Sequence, residues 1–253
     1  MDRAELKIGS RGTDVRAWQK IVGATADGFF GPLTSRATRI WQGARGLPIT
    51  GEVHVEDWAA AMASIAPTQY EFISAKSFRK VSRTQVDWVC IHVAECNEVD
   101  KAARRLAAYC AGGCDGTGAS WHYAVDKEEI IQSVREEDIA FATKTASIPR
   151  GFDTRAIHIE LAGWSAQTSK EWDDEYSQRE LVLCARLVSE ILPRWGLPMI
   201  WCGEDALRLE ERGITSHVIV SHTLGVGRTN HTDPGKNFNI QAFMNLVSAA
   251  SEL

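Results

Sequence analysis

No stretch of this chain stays apolar for the roughly 20 residues that a membrane-spanning helix needs, so insertion into a bilayer is not expected. Positive charge is also short. Its 28 Lys and Arg stand against 33 Asp and Glu, a formal net charge of -5, with no local basic cluster to compensate. A phosphate backbone would meet no attractive field, which excludes nucleic acid as the expected partner. The first residues, MDRAELKIGSRG, lack the apolar centre of a secretory signal. Synthesis in the cytoplasm is therefore the expectation, and work outside the cell would need a separate release step. The six cysteines are scattered over 253 residues, unlike the dense framework of a small secreted scaffold. Cys110 and Cys114 in CAGGC have no second pair and read as loop thiols; Cys90, inside an apolar run, reads as a small buried hydrophobe.

What the chain does have is 44% hydrophobic residues, enough for a packed core, and a length that suits a small domain followed by a medium one. In the first segment Thr13 stands where a cap would, before DVRAWQKIV. ADGFFGP makes a turn, Pro32 or Thr34 opens a second helix through LTSRATRIWQGARG, and VEDWAAAMAS gives a third. The halves echo each other: VRAWQ at Val15–Gln19 is matched by TRIWQ at Thr38–Gln42, each after a glycine turn. The tryptophans are expected in the core and the glutamines on the solvent face. This pattern, LKIGSRGTDVRAWQKIV through ADGFFGPLTSRATRIWQGARGLPITGEV, resembles the three-helix peptidoglycan-binding domain of many cell-wall hydrolases. The resemblance implies a module over residues 1–66 that docks on the wall polymer and concentrates a linked domain there.

Residues 67–84 are polar and weakly periodic and read as a linker. From 85 to 253 short β-rich runs alternate with helices: WVCIHVA, the helix VDKAARRLAAYCA, a hairpin of SWHYAVD and EIIQSV, the strand AIHIELAG, and the long helix QRELVLCARLVSEILPRW. A last strand, HVIVSH, and a closing helix, IQAFMNLVSAA, follow. Such alternation predicts an α/β domain, a central mixed sheet flanked by helices, behind the small all-α domain.

Two of these strands end in histidine, His92 and His222, and sheet ends are where ligands collect. Asp233 follows in NHTDPG, where Pro-Gly fixes a carboxylate on a rigid turn. Two imidazoles and a carboxylate make a suitable zinc set, leaving a fourth position for water. Glu160, inside the apolar strand IHIELAG, is costly to bury unless used, and a general acid/base is one use. His231, two residues before Asp233, could donate to an oxyanion, and Tyr123 could do the same or orient substrate. His122, His158 and His217 are read as structural, with His122 the best placed of them to line a groove.

The segments VCIHVAE, SWHYAVDKEEIIQSV, AIHIELAG and VSHTLGVGRTNHTDPG, in that order, resemble the zinc-dependent N-acetylmuramoyl-L-alanine amidases. Phage endolysins, bacterial wall amidases and animal peptidoglycan recognition proteins share that family. The resemblance implies His92, His222 and Asp233 as zinc ligands and Glu160 as acid/base, with His231 where relatives often carry lysine. It also implies peptidoglycan as substrate, cut between N-acetylmuramic acid and L-alanine. The expected role is a monomeric endolysin, made in the host cytoplasm and passed to the wall by a holin. A cytoplasmic amidase that recycles muropeptides and a recognition protein that binds without cutting are the alternatives. A glycosidase would need a second positioned carboxylate, and none stands out.

Overall fold

The structure, a computed structural model, describes residues 5–43, 45–63, 70–143, 151–224 and 231–251. The chain divides into two compact units, one over residues 1–69 with 249–253 and one over residues 70–248.

The first unit holds three helices, α1 (Thr13–Ile21), α2 (Pro32–Gly43) and α3 (Val55–Ala63). Thr13 falls inside α1, and the capping position is Gly12, with no side-chain cap bond. Trp18, Trp41 and Trp58 meet at the centre, with both neighbouring rings edge-on to Trp18 at 4.9 and 5.0 Å. The glutamines are not on the solvent face: Gln19 and Gln42 are each 1% exposed. Gln19 accepts from the Gly28 amide and donates to the Phe29 carbonyl. Gln42, 23 residues later, accepts from the Gly51 amide and donates to the Glu52 carbonyl. Each amide thus satisfies loop backbone groups that no strand pairs, which is why these polar side chains are inside. The echo seen in the sequence is a repeated clamp.

In the second unit six strands form one sheet in the order β1-β4-β3-β5-β2-β6. They are β1 (Glu71–Phe72), β2 (Trp88–Val93), β3 (Tyr123–Val125), β4 (Ile130–Gln132), β5 (Ala156–Leu161) and β6 (Gly213–Ser216). The described helices after α3 are α4 (Ala102–Gly112), α5 (Ser169–Trp172), α6 (Glu175–Arg194), α7 (Glu204–Arg208), α8 (His217–Thr223) and α9 (Ile240–Ser251). Only β3 and β4 run antiparallel, as the predicted hairpin; every other neighbouring pair is parallel. Residues 67–69 of the stretch read as a linker lie outside the described residues, and from Glu71 it pairs: β1 lies along β4, and the Ala75 and Arg79 amides bond to Ser133 and Ile139. Central parallel strands are covered on both faces, and β2 is accordingly buried at every position.

Period-two alternation sends Val89, Ile91, Val93, Ile157, Ile159 and Leu161 into one core with the long helix α6 (Glu175–Arg194). Asp174 caps α6 by accepting from the Ser177 amide. Ala124 and Ile131 pack instead with the helix α4 (Ala102–Gly112), and Trp88 and Cys90 with Phe152 and Val220. His92, His158 and Glu160 occupy the even positions on this second side. Cys110 is on α4 itself, Cys114 in the turn after it, and both are buried.

The segment HVIVSH is not a strand. β6 ends at Ser216, and residues His217–Thr223 form the helix α8. A run of β-branched residues between two histidines fits either period. The sheet decides, because the β6 pairing with β2 is used up at Ser216 opposite Ile91. No described helix is long and apolar enough to cross a membrane.

Candidate metal centre and catalytic cavity

The register of β2 and β5 places His92 directly opposite Glu160, both on the α4 side near the strand ends. His217 is the first residue of α8, immediately after β6 on the other side of β2. Asp233 is tied in by its own backbone, since its carbonyl accepts from the Val218 amide in the first turn of α8. The turn that carries it is closed by the Gly235 amide bonding to the Thr232 carbonyl. Gly235 has φ +95°, and a Cβ there would stand 2.0 Å from the Ser165 carbonyl oxygen, so no side chain fits.

These constraints bring three ligating groups together. His92 Nδ1 lies 3.1 Å from His217 Nδ1 and 3.4 Å from Asp233 Oδ2, and His217 Nδ1 lies 3.2 Å from Asp233 Oδ1. Metal–ligand bonds of 2.0–2.1 Å in a tetrahedron put neighbouring ligand atoms about 3.3 Å apart, so the triangle has the size a zinc ion needs. Burial works against the charge of Asp233, yet the adjoining His217 and His92 rings hold its carboxyl well below the usual range. Burial also keeps both imidazoles below their ordinary value, in the neutral form that a metal requires. The residues fit the ion.

Of the three expected ligands, His92 and Asp233 meet and His222 does not join them. His222 sits five residues along α8 from His217, 57% exposed, with its Nδ1 3.4 Å from Glu204. His217, read from the sequence as structural, takes the place assigned to His222. The correction follows from the strand-to-helix change: the residue at the sheet end is the first histidine of HVIVSH, not the last. One signal was available, because Ser216 is a residue type that favours the position before a helix.

Glu160 Oε1 is 4.0 Å from His92 Nδ1, and Glu160 Oε2 is buried with no hydrogen-bond partner among the described residues. Burial first, then the charges of Asp233 and Glu95, push this carboxyl well above the usual range. His231 is half exposed, stacks on His217 at 4.1 Å between ring centroids, and has Nδ1 3.7 Å from Asp233. Tyr123 does not belong here. It lies on the α6 side of β3, where its hydroxyl donates to Glu136 at 2.7 Å. Odd positions of β3 share a face with Ile159, not with Glu160. His122 is buried away from the cavity, its Nδ1 accepting from the His158 amide.

The N-acetylmuramoyl-L-alanine amidase family model matches residues 82–236. The chain belongs to that family. A search of curated proteins finds no match. Among solved structures, the hydrolase AmiA of Staphylococcus aureus is similar with a TM-score of 0.55 at 17% identity, over 79% of this chain and 91% of that one. The PlyG catalytic domain is similar with a TM-score of 0.50 at 13% identity, over 73% of this chain and 96% of that one. At such identities these likenesses concern the fold, a mixed sheet flanked by helices.

In this amidase the triad lies in a cavity of about 470 Å³ with two unlike walls. Leu106, Tyr109, Ala119 and Trp121 make one wall apolar and aromatic; Glu95, Ser165, His231 and Thr232 make the other polar. A substrate with a carbon-rich ring on one side and amides on the other would find both walls useful.

Proposed function

We propose that this amidase is a zinc-dependent peptidoglycan hydrolase that cuts the amide between the lactyl group of N-acetylmuramic acid and L-alanine. The observation that carries the reading is the His92–His217–Asp233 triangle in the cavity, with the Glu160 carboxyl beside it, its Oε2 buried without a hydrogen-bond partner among the described residues. These three residues would hold the ion. Bound zinc supplies Lewis acidity toward the scissile carbonyl and a nucleophilic water at neutral pH. Glu160 removes a proton from the attacking water and returns it to the departing L-alanine nitrogen; its raised proton affinity suits both halves of that task. His231, at the open side, offers a ring N–H to the oxygen on which negative charge develops.

The first unit is proposed as the wall anchor, supported by its repeated glycine-turn and Trp-Gln pattern. An anchor serves an enzyme that works on an intact wall, so lysis in the manner of an endolysin is favoured over recycling of soluble fragments. Product analysis tests both points. Incubation with purified sacculi should release free L-alanine amino termini, a chelator should stop this, and added zinc should restore it. New reducing sugar ends in their place would overturn the reaction assignment. Activity on soluble muropeptides but not on sacculi would overturn the lytic role.

A further inference from the structure

His92 uses only one ring nitrogen in the triangle. Its other nitrogen, Nε2, faces His158 Nδ1 at 3.0 Å, and His158 Nε2 in turn faces Asp153 Oδ1 at 3.3 Å. His92 and His158 are both buried. His158 Nε2 makes no hydrogen bond of good geometry among the described residues, and the Asp153 carboxylate, at ion-pair distance, is the charged group it faces. The far end is anchored. Asp153 Oδ1 accepts from the Thr143 amide at 3.0 Å, and the His158 backbone is held by the His122 ring.

A neutral imidazole has one N–H and one lone pair. An ionised carboxylate only accepts, so Asp153 selects the form of His158 with its proton on Nε2. Then His158 Nδ1 is an acceptor, and His92 Nε2 must be the donor. That leaves the lone pair of His92 on Nδ1, facing His217 and Asp233.

We propose that His158 and Asp153 are positioning residues that lock His92 in its Nε2–H form and so aim its Nδ1 lone pair at the metal. The inference rests on the metal reading above. It also decides between two groupings of side chains, because Cys90, His92 and His158 form a second cluster of ligating atoms. A cation there would need the lone pair of His92 on Nε2. One neutral ring cannot serve both clusters, and the Asp153 end of the chain favours the triangle that opens on the cavity.

The test uses the full chain and zinc alone, with affinity read by chelator competition. His158→Leu, which removes the acceptor, should weaken zinc binding by about 10–100-fold, the range for partners that orient a metal-bound histidine. His158→Asn keeps an acceptor oxygen near the Nδ1 position and should recover most of that loss. Imidazole ¹⁵N shifts of the zinc-free wild type should report the proton of His92 on Nε2, and zinc-free Asp153→Ala should produce a mixture of forms. Should His158→Leu not fold, the His158→Asn affinity and the Asp153→Ala shifts carry the test.

A folded His158→Leu protein with wild-type affinity would overturn the proposal. So would a zinc-free wild type with the proton on Nδ1, or zinc-free Asp153→Ala with an unmixed Nε2–H form. His158→Asn as weak as His158→Leu would count against it equally. Cobalt in place of zinc should show no thiolate charge-transfer absorption, and such a band would assign the ion to the Cys90 cluster. Wild-type protein that binds no zinc would sink the metal reading itself, separately from any variant.

Discussion

The two faces of the central strands are made by the same twelve residues of β2 and β5, yet they are chemically opposite. Odd positions carry Val89, Ile91, Val93, Ile157, Ile159 and Leu161, all packed with α6. Even positions carry Cys90, His92, His158 and Glu160, with Trp88 and Ala156 at the start of each strand. The first face holds the fold and can be exchanged only for similar volume. The second places costly polar groups side by side, and is tolerable because each ring has a partner. A two-residue period therefore separates stability from chemistry within one strand pair.

Substitutions can break that separation or sharpen it. The largest effect is expected for His217→Ala. Zinc affinity should fall by more than the ~10–100-fold expected for an outer partner such as His158, with lysis lost; titration against a chelator measures it. If His222→Ala did this instead, the ligand correction would be wrong. Glu160→Gln should lower the rate of L-alanine release by about 10²–10⁴-fold, the usual share of general acid/base catalysis. Its melting temperature should hold or rise, because no ionisable carboxyl then needs burying. On the opposite face Ile159→Ala should cost about 2–5 kcal/mol in denaturant unfolding while zinc binding by the folded protein is unchanged. Tyr123→Phe, which unpairs part of the buried Glu136 carboxylate, should cost about 1–3 kcal/mol without altering turnover. A turnover loss there would return Tyr123 to the site. Smallest of all, His222→Ala should change stability by no more than about 0.5 kcal/mol and leave zinc affinity alone.

Much of this was legible in the sequence because period-two runs such as WVCIHV and AIHIEL state their own faces. His92 and Glu160 were placed on strands that way, Asp233 stood out by its Pro-Gly turn, and the α/β order by the alternation of strands with helices. What failed were places where a local pattern allowed two periods. HVIVSH alternates well enough to be a strand, and only the pairing of β6 with β2 shows that the strand stops before it. Tyr123 misled because its neighbour Ala124, not Tyr123, shares the register of Glu160. Gln19 and Gln42 misled because a helix wheel cannot show a loop backbone that needs an amide partner. Asp153 and His158 carry no motif, and their relation to His92 exists only across the sheet.

The junction at Ser216 and His217 also governs how the chain can vary. Along β6 each added residue reverses the side a ring points to, so one residue inserted between Gly213 and Ser216 would turn His217 toward α6. Beyond His217 the backbone turns by the helix rule, and length or composition near His222 no longer feeds back on the ring. Drift is free at one end of α8 and forbidden at the other. The exposed end is raw material for new surface properties, and the four residues before the helix behave as a fixed spacer.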